Sequence, residues 1–313
     1  MSASRHLVDP ELAPLLELFP TTNLSHEVLA EARARRLDFP VDPEADAAVD
    51  LERRTIPGPG GDIEVFCLRP KAVSARLPCV LHVHGGGYVM GSAESMAPLR
   101  KPLVQALGCV LVSVEYRLAP ETRAPGAVED CYAALAWLNA NPGEFGVDAA
   151  KLGVMGESAG GGLAAALALY ARDRAEYRLA FQHLIYPMLD DRTSVRPDPD
   201  PHAGEFIWPH HNNLFGWRAL LGVEPGSEGV SHYAAPARAE NLAGLPPTFI
   251  STGALDLFVD EDIDYARRLI KAGVPTELHV YPGAFHAFDF VPTAEIAVRA
   301  RRDSRDALAK ALR

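Results

Sequence analysis

Ser158 is the residue around which this sequence can assemble chemistry. It stands in Gly156-Glu157-Ser158-Ala159-Gly160-Gly161. A serine alcohol is a poor nucleophile alone. It needs a base, a group that orients the base, and hydrogen-bond donors for the oxyanion that forms. Residues 151–155 are short and mostly apolar, as a buried strand is, and residues 163–172 are rich in Ala and Leu, as a buried helix is. A strand that turns abruptly into a helix at Gly-x-Ser-x-Gly lifts the serine Oγ clear of the sheet edge. A plain Gly/Ser-rich turn carries the same pattern; the strand before and the helix after favour the nucleophile.

The other parts are present. His84-Gly85-Gly86-Gly87 follows an apolar run at 79–83. Consecutive glycines free the backbone to aim N–H groups at a developing charge, and the Ala159 N–H can join from the other side. A tight βα turn or a phosphate nest would use the same glycines. The pairing with the serine motif favours the oxyanion role. Of 11 histidines, His286 lies in a loop after a strand and before the last helix. His82, His183 and His279 fall within strands. His210 and His211 can line a cap; a metal pair is the weaker reading, since adjacent residues on an element diverge. Asp256 follows the strand at 248–252. Asp260, Glu261 and Asp262 open the next helix, where acidic side chains suit the dipole and Asp260 can cap. Asp264 should face solvent. The chain order Ser158, Asp256, His286 is one of three known for serine triads, and it belongs to a strand–turn–helix fold.

The elements that must hold these residues alternate. Strands are expected at 53–56, 63–69, 79–84, 110–114, 152–155, 181–186, 248–252 and 277–281. Helices are expected at 96–107, 127–139, 163–172, 260–272 and 293–312. Continuous apolar strands alternating with helices mean a mainly parallel sheet covered on both faces, after an antiparallel hairpin around Pro57-Gly58-Pro59-Gly60-Gly61-Asp62. Residues 1–49 stand outside the alternation. Leu12, Leu15, Leu16 and Phe19 suggest a short amphipathic helix, Ser25 can cap a second one running to Arg36, and 38–50 reads as a linker. Residues 190–241 break the pattern again with Pro197, Pro199, Pro201, Trp208 and Trp217. A long excursion from the ligand-binding edge of a sheet suits a cap.

Composition limits the alternatives. The chain has 313 residues, 48% of them hydrophobic, and a net charge of −11. That charge argues against nucleic acid as partner. The basic run Arg299, Arg301, Arg302, Arg305 is interrupted by Asp303 and Asp306 and reads as a solvated helix face. Cys67, Cys79, Cys109 and Cys131 form no C-x-x-C pair and read as core residues. The opening residues do not have the pattern of a signal peptide, and no apolar run reaches membrane-span length. A soluble cytoplasmic protein is the expectation.

The motifs together resemble the bacterial hormone-sensitive-lipase-like esterases of the α/β-hydrolase superfamily. The resemblance rests on His84 through Gly87, Glu115-Tyr116-Arg117-Leu118-Ala119-Pro120-Glu121, Gly156 through Gly161, Tyr186-Pro187-Met188-Leu189-Asp190, Leu255-Asp256 and Gly283 through His286. It implies an α/β fold, the α/β-hydrolase fold, with a mainly parallel sheet of about eight strands flanked by helices and a helical cap. The domains would be a cap arm and linker (1–49), a core in two parts (50–189 and 242–313) and a cap insertion (190–241). It implies a carboxylesterase for short- to medium-chain acyl esters, with Ser158, Asp256 and His286 catalytic. Gly86, Gly87 and Ala159 would form the oxyanion hole, and His84, Gly85 and Glu157 would support it. No cofactor, metal or membrane span is implied. A homodimer is common in the family, though no residue here shows it. Arg117 would pair with Glu121. The chain departs from the family at Glu157, where Asp or Thr is usual, and at Leu257-Phe258, where Pro-Leu is usual. Two other functions fit the same fold: an amidase or lactonase with the same triad, and a small-molecule receptor like the plant gibberellin receptors. Those receptors lack the catalytic histidine that His286 supplies here.

Overall fold

Val, Leu, Ile and Cys in unbroken runs favour extended backbone buried on both faces, and the centre of the molecule is built from them. The structure is a computed structural model that describes residues 4–18, 22–35, 41–71 and 73–313. Eight strands form one sheet: β1 Val49–Gly58, β2 Gly61–Pro70, β3 Leu77–Val83, β4 Val110–Val114, β5 Val147–Glu157, β6 Gln182–Ile185, β7 Thr248–Gly253 and β8 Thr276–Tyr281. Their order is β1-β2-β4-β3-β5-β6-β7-β8. β1 pairs with β2, and β2 with β4, antiparallel; every other pairing is parallel.

Side chains alternate across the sheet into two cores. Leu81, Val83, Val112, Val154 and Ile250 face one side, against α6 Gly126–Ala140, α7 Ala159–Arg174 and α9 Val259–Lys271. Val80, Leu111, Met155 and Ile185 face the other, against α5 Lys101–Leu107 and α10 Glu295–Ala311. All four cysteines are buried and unpaired. No helix among the described residues is long and apolar enough to cross a membrane.

Four expectations are corrected. Residues 41–50 are not a linker: the Asp42 carboxylate accepts the N–H groups of Glu44 and Ala45, and Pro43 opens α3 Pro43–Ala48, which runs directly into β1. Residues 38–40 lie outside the described residues, as do Phe19 and Arg36. The helix expected at 96–107 is divided by Pro98 and Pro102 into α4 Ala93–Met96, a 3₁₀ turn Ala97–Arg100 and α5. Arg117 does not pair with Glu121. Its guanidinium donates to the fully buried Asp130 at 2.7–3.1 Å, while Glu121 pairs with Arg33 from the N-terminal arm at 2.8 Å. Finally, Asp260 does not cap its helix: Phe258 holds the cap position of α9, and Glu261 and Asp262, in the first turn as expected, are buried.

The arm and the insertion meet each other. The arm contains α1 Ala13–Leu18 and α2 Leu29–Ala34; the insertion contains α8 His210–Leu221. Asn212 accepts the Leu24 N–H and donates to the Thr22 carbonyl, both at 2.9 Å, and His211 Nε2 donates to the Leu24 carbonyl at 2.9 Å. Arg33 in α2 donates to the carbonyls of Val89 and Ala119 on the core.

Candidate active site

Ser158 connects β5 to α7 with φ 56° and ψ −123°, a conformation that strains any residue with a side chain. The turn is tight enough to exclude side chains on both flanks. A Cβ on Gly156 would lie 2.1 Å from the Gly160 carbonyl oxygen, and one on Gly160 would lie 2.1 Å from that of Val83. Ser158 N–H donates to Ile185 O at 2.9 Å, which fixes the turn to β6.

His286 lies in the loop between β8 and α10, and its two ring nitrogens have different partners. Nδ1 is 2.8 Å from Asp256 Oδ2, and Nε2 is 2.9 Å from Ser158 Oγ. The Asp256 carboxylate can only accept, so Nδ1 carries the proton and Nε2 presents its lone pair to the Ser158 hydroxyl. Asp256 is fully buried in the turn after β7, and its Oδ1 accepts the Phe258 N–H at 3.0 Å. Tyr186 and Phe258 hold the imidazole between them, edge to face, with ring centroids 4.8 and 5.3 Å away.

The glycine run follows β3. Gly86 and Gly87 take φ 127° and 61°, and both line the cavity that holds Ser158 and His286. Gly85 lines it too. Ala159 opens α7 and is fully buried. His84 does not face the cavity: its ring stacks on Tyr116 at 4.2 Å, its Nδ1–H donates to Gly85 O at 2.9 Å, and burial pushes it down to about 4. It is therefore a neutral ring that shapes the turn. Glu157 lines the cavity too, and its carboxylate is held by two buried partners. Its Oε2 accepts from His82 Nε2 at 3.0 Å and its Oε1 lies 2.5 Å from Arg100 Nη2. Burial would raise this carboxyl, but Arg100 and His82 outweigh it and hold it down at about 2.

The cavity has a volume of about 750 Å³. Leu24, Ala32 and Arg33 of the arm and Ile207, Trp208 and Asn212 of the insertion close it on one side. Trp208 lies directly over the glycine run: a Cβ on Gly87 would meet its six-membered ring at 2.1 Å. No motif in the sequence marked Trp208, Arg33 or Arg100 as part of the site. Trp208 sits in a segment whose aromatic content was its only signal. Arg33 and Arg100 had none, because their partners are distant in the chain.

Residues 80–290 match the family described as alpha/beta hydrolase fold. Among curated relatives, carboxylesterase NlhH of Mycobacterium tuberculosis is 33% identical over 318 residues, covering 99% of this chain and 98% of its own. The arylesterase of Saccharolobus solfataricus is 29% identical, covering 90% of this chain and 92% of its own. Among solved structures, a bacterial heroin esterase superposes with a TM-score of 0.89 at 38% identity, covering 98% of this chain and 99% of its own. Esterase LipW from Mycobacterium marinum gives 0.82 at 32% identity, with 99% and 98% covered. The chain belongs to the α/β-hydrolase fold family, in its hormone-sensitive-lipase-like branch.

Proposed function

We propose that the chain is a serine carboxylesterase that hydrolyses short- to medium-chain acyl esters through an acyl-enzyme. One observation carries the reading: His286 stands between Ser158 Oγ and the Asp256 carboxylate at 2.9 and 2.8 Å, on the wall of a cavity. Ser158 Oγ attacks the ester carbonyl while His286 Nε2 takes its proton. Backbone N–H groups of Gly86, Gly87 and Ala159 receive the oxyanion. The tetrahedral species collapses as His286 returns the proton to the leaving alkoxide, and the alcohol departs. Water then attacks the acyl-enzyme by the same relay, and the acid is released with Ser158 restored. Asp256 holds the imidazole in the tautomer each step requires. The esterase names of the relatives support an ester as substrate.

The arm (1–49) and the insertion (190–241) together act as the cap over the core (50–189 and 242–313). A cavity of about 750 Å³ closed by Trp208 and Ile207 suits short and medium acyl groups. A cytoplasmic homodimer completes the proposal; its four unpaired cysteines suit a reducing compartment. A serine-reactive phosphonate should label Ser158, and Ser158→Ala should abolish labelling and turnover together. Labelling at another serine would refute the assignment. A panel of matched p-nitrophenyl esters, amides and lactones should show turnover greatest for esters of short or medium chain.

A further inference from the structure

We propose that Arg100 is a positioning residue of this reaction, a buried cation that balances the carboxylate beside Ser158; the proposal rests on the roles given above to Ser158 and His286. Arg100 ends the 3₁₀ turn Ala97–Arg100 and belongs to no motif. Its side chain is only 15% exposed, and Nη2 lies 2.5 Å from Glu157 Oε1. The contact is an ion pair, not an aligned hydrogen bond: Nε and Nη2 are buried without a hydrogen-bond acceptor among the described residues. A guanidinium held this way acts mainly through its charge.

Glu157 is gripped from both sides. His82 Nε2 donates to Oε2, and His82 Nδ1 accepts from Ser113 Oγ at 2.8 Å. The clamp therefore links β4, β3 and β5 to the residue immediately before Ser158, whose backbone is strained. Arg100 also acts electrostatically on Asp289 and Tyr186. The Tyr186 hydroxyl donates to Asp289 Oδ1 at 2.7 Å, and the Tyr186 ring packs on His286. Arg100 thus pairs with the carboxylate beside Ser158 and bears only electrostatically on the Tyr186–Asp289 pair behind His286. Other charged or titratable neighbours are His84, His183 and Tyr116 around Glu157, Arg301 around Asp289, and Asp262 around Asp256. Burial keeps both histidines neutral, pushing them down to about 4 and about 3. Arg301 donates to the carbonyls of Asp289, Val291 and Pro292. Arg100 is the fixed positive charge on the serine side.

The charge matters because a bare carboxylate next to Ser158 would stabilise the imidazolium of His286 and oppose the oxyanion. Removing Arg100 should raise the midpoint of the acid limb of kcat/KM. Removing Glu157 should lower it. Removing both should bring it back.

The test is the pH profile of kcat/KM for Arg100→Met, Glu157→Gln and the double variant, with active sites counted by phosphonate. The Arg100→Met midpoint should rise by about one pH unit, Glu157→Gln should fall by a similar amount, and the double variant should lie near the wild type. In Arg100→Met, kcat should fall about tenfold with KM changed little, and Arg100→Lys should recover the wild-type midpoint. A purely structural Arg100 would lower the melting temperature and leave all midpoints together, which would overturn the proposal. If Arg100→Met does not fold, an unmoved midpoint in Glu157→Gln would overturn it equally. Failure of the phosphonate to label wild-type Ser158 is a separate result: it would overturn the reading of the site itself.

Discussion

Asp256 and Asp260 are four residues apart and have unlike surroundings. Asp256 is fully buried, accepts the Phe258 N–H through Oδ1 and meets His286 through Oδ2. The Asp260 side chain is 58% exposed and 4.0 Å from Arg196, and Phe258, not Asp260, occupies the cap position of α9. Asp256→Asn would keep the shape but reverse the favoured imidazole tautomer, a change that lowers kcat about 10⁴-fold in serine proteases. Asp260→Asn should leave kcat unchanged and stability within about 0.5 kcal/mol. Purified variants assayed for kcat and melting temperature separate the two; a normal Asp256→Asn enzyme would disprove the role given to Asp256. Ser158, Asp256 and His286 were legible because each stands in a short motif at a strand end. Partners across the fold were not. Arg117 finds Asp130 one helix later, and Glu121 finds Arg33 from the far end of the chain. Glu261 looked like a first-turn carboxylate, yet it is buried, accepting the N–H groups of Leu189 and Asp190 and the Thr193 hydroxyl. Sequence position told where the helix began, not which way its first turn faced.

Among the elements, strands were easier to foresee than helices. A parallel strand buried on both faces is a continuous apolar run, whereas the segment at 93–107 keeps its apolar spacing through two prolines that interrupt its hydrogen bonds. The arm was the least legible, since its position depends on contacts that no local pattern encodes. Those contacts centre on Arg33 in α2. Its Nε donates to Val89 O at 2.7 Å, Nη2 donates to Ala119 O at 2.8 Å, and the same guanidinium pairs with Glu121. Ala32 and Arg33 also line the cavity. Arg33→Met would keep the aliphatic stem and leave two carbonyls without this donor. The expected outcome is a KM raised several-fold with kcat changed less, because α2 would lose its hold above the substrate while the reacting groups keep theirs. The cost in stability should be about 1–3 kcal/mol. Steady-state kinetics alongside thermal melts check both; a variant with normal KM would show that α2 is held by its other contacts.

At the scale of the whole molecule, buried ionisable groups decide how stability responds to acid. His84 and His183 are buried and held down at about 4 and about 3. In the unfolded chain they take up protons near pH ~6.5. Between those limits the unfolded state binds more protons, so their contribution is complete above about pH 6.5 and is lost as pH falls toward the folded values. Glu261, Asp262 and Asp289 work in the opposite sense. Burial raises all three, and neighbouring carboxylates add to it for Glu261 and Asp262. A raised folded value means that the folded chain keeps the proton to higher pH than the unfolded one, so their contribution grows as pH falls through those raised values. The two sets therefore act in opposite directions as pH falls. Single substitutions should tilt the stability profile in opposite directions. His183→Gln keeps a partner for Ser304, which His183 Nε2 meets at 2.7 Å, and removes one proton from the unfolded side. Its loss of stability on acidification should be smaller than wild type by about 1 kcal/mol per pH unit. Asp262→Asn removes a group whose folded value burial raises and should make the loss steeper. Urea melts at pH 6.5, 5.5 and 4.5 measure each slope. Parallel slopes for wild type and both variants would mean that neither group binds protons differently on folding, and that the acid response comes from the other charges of a chain whose net charge is −11.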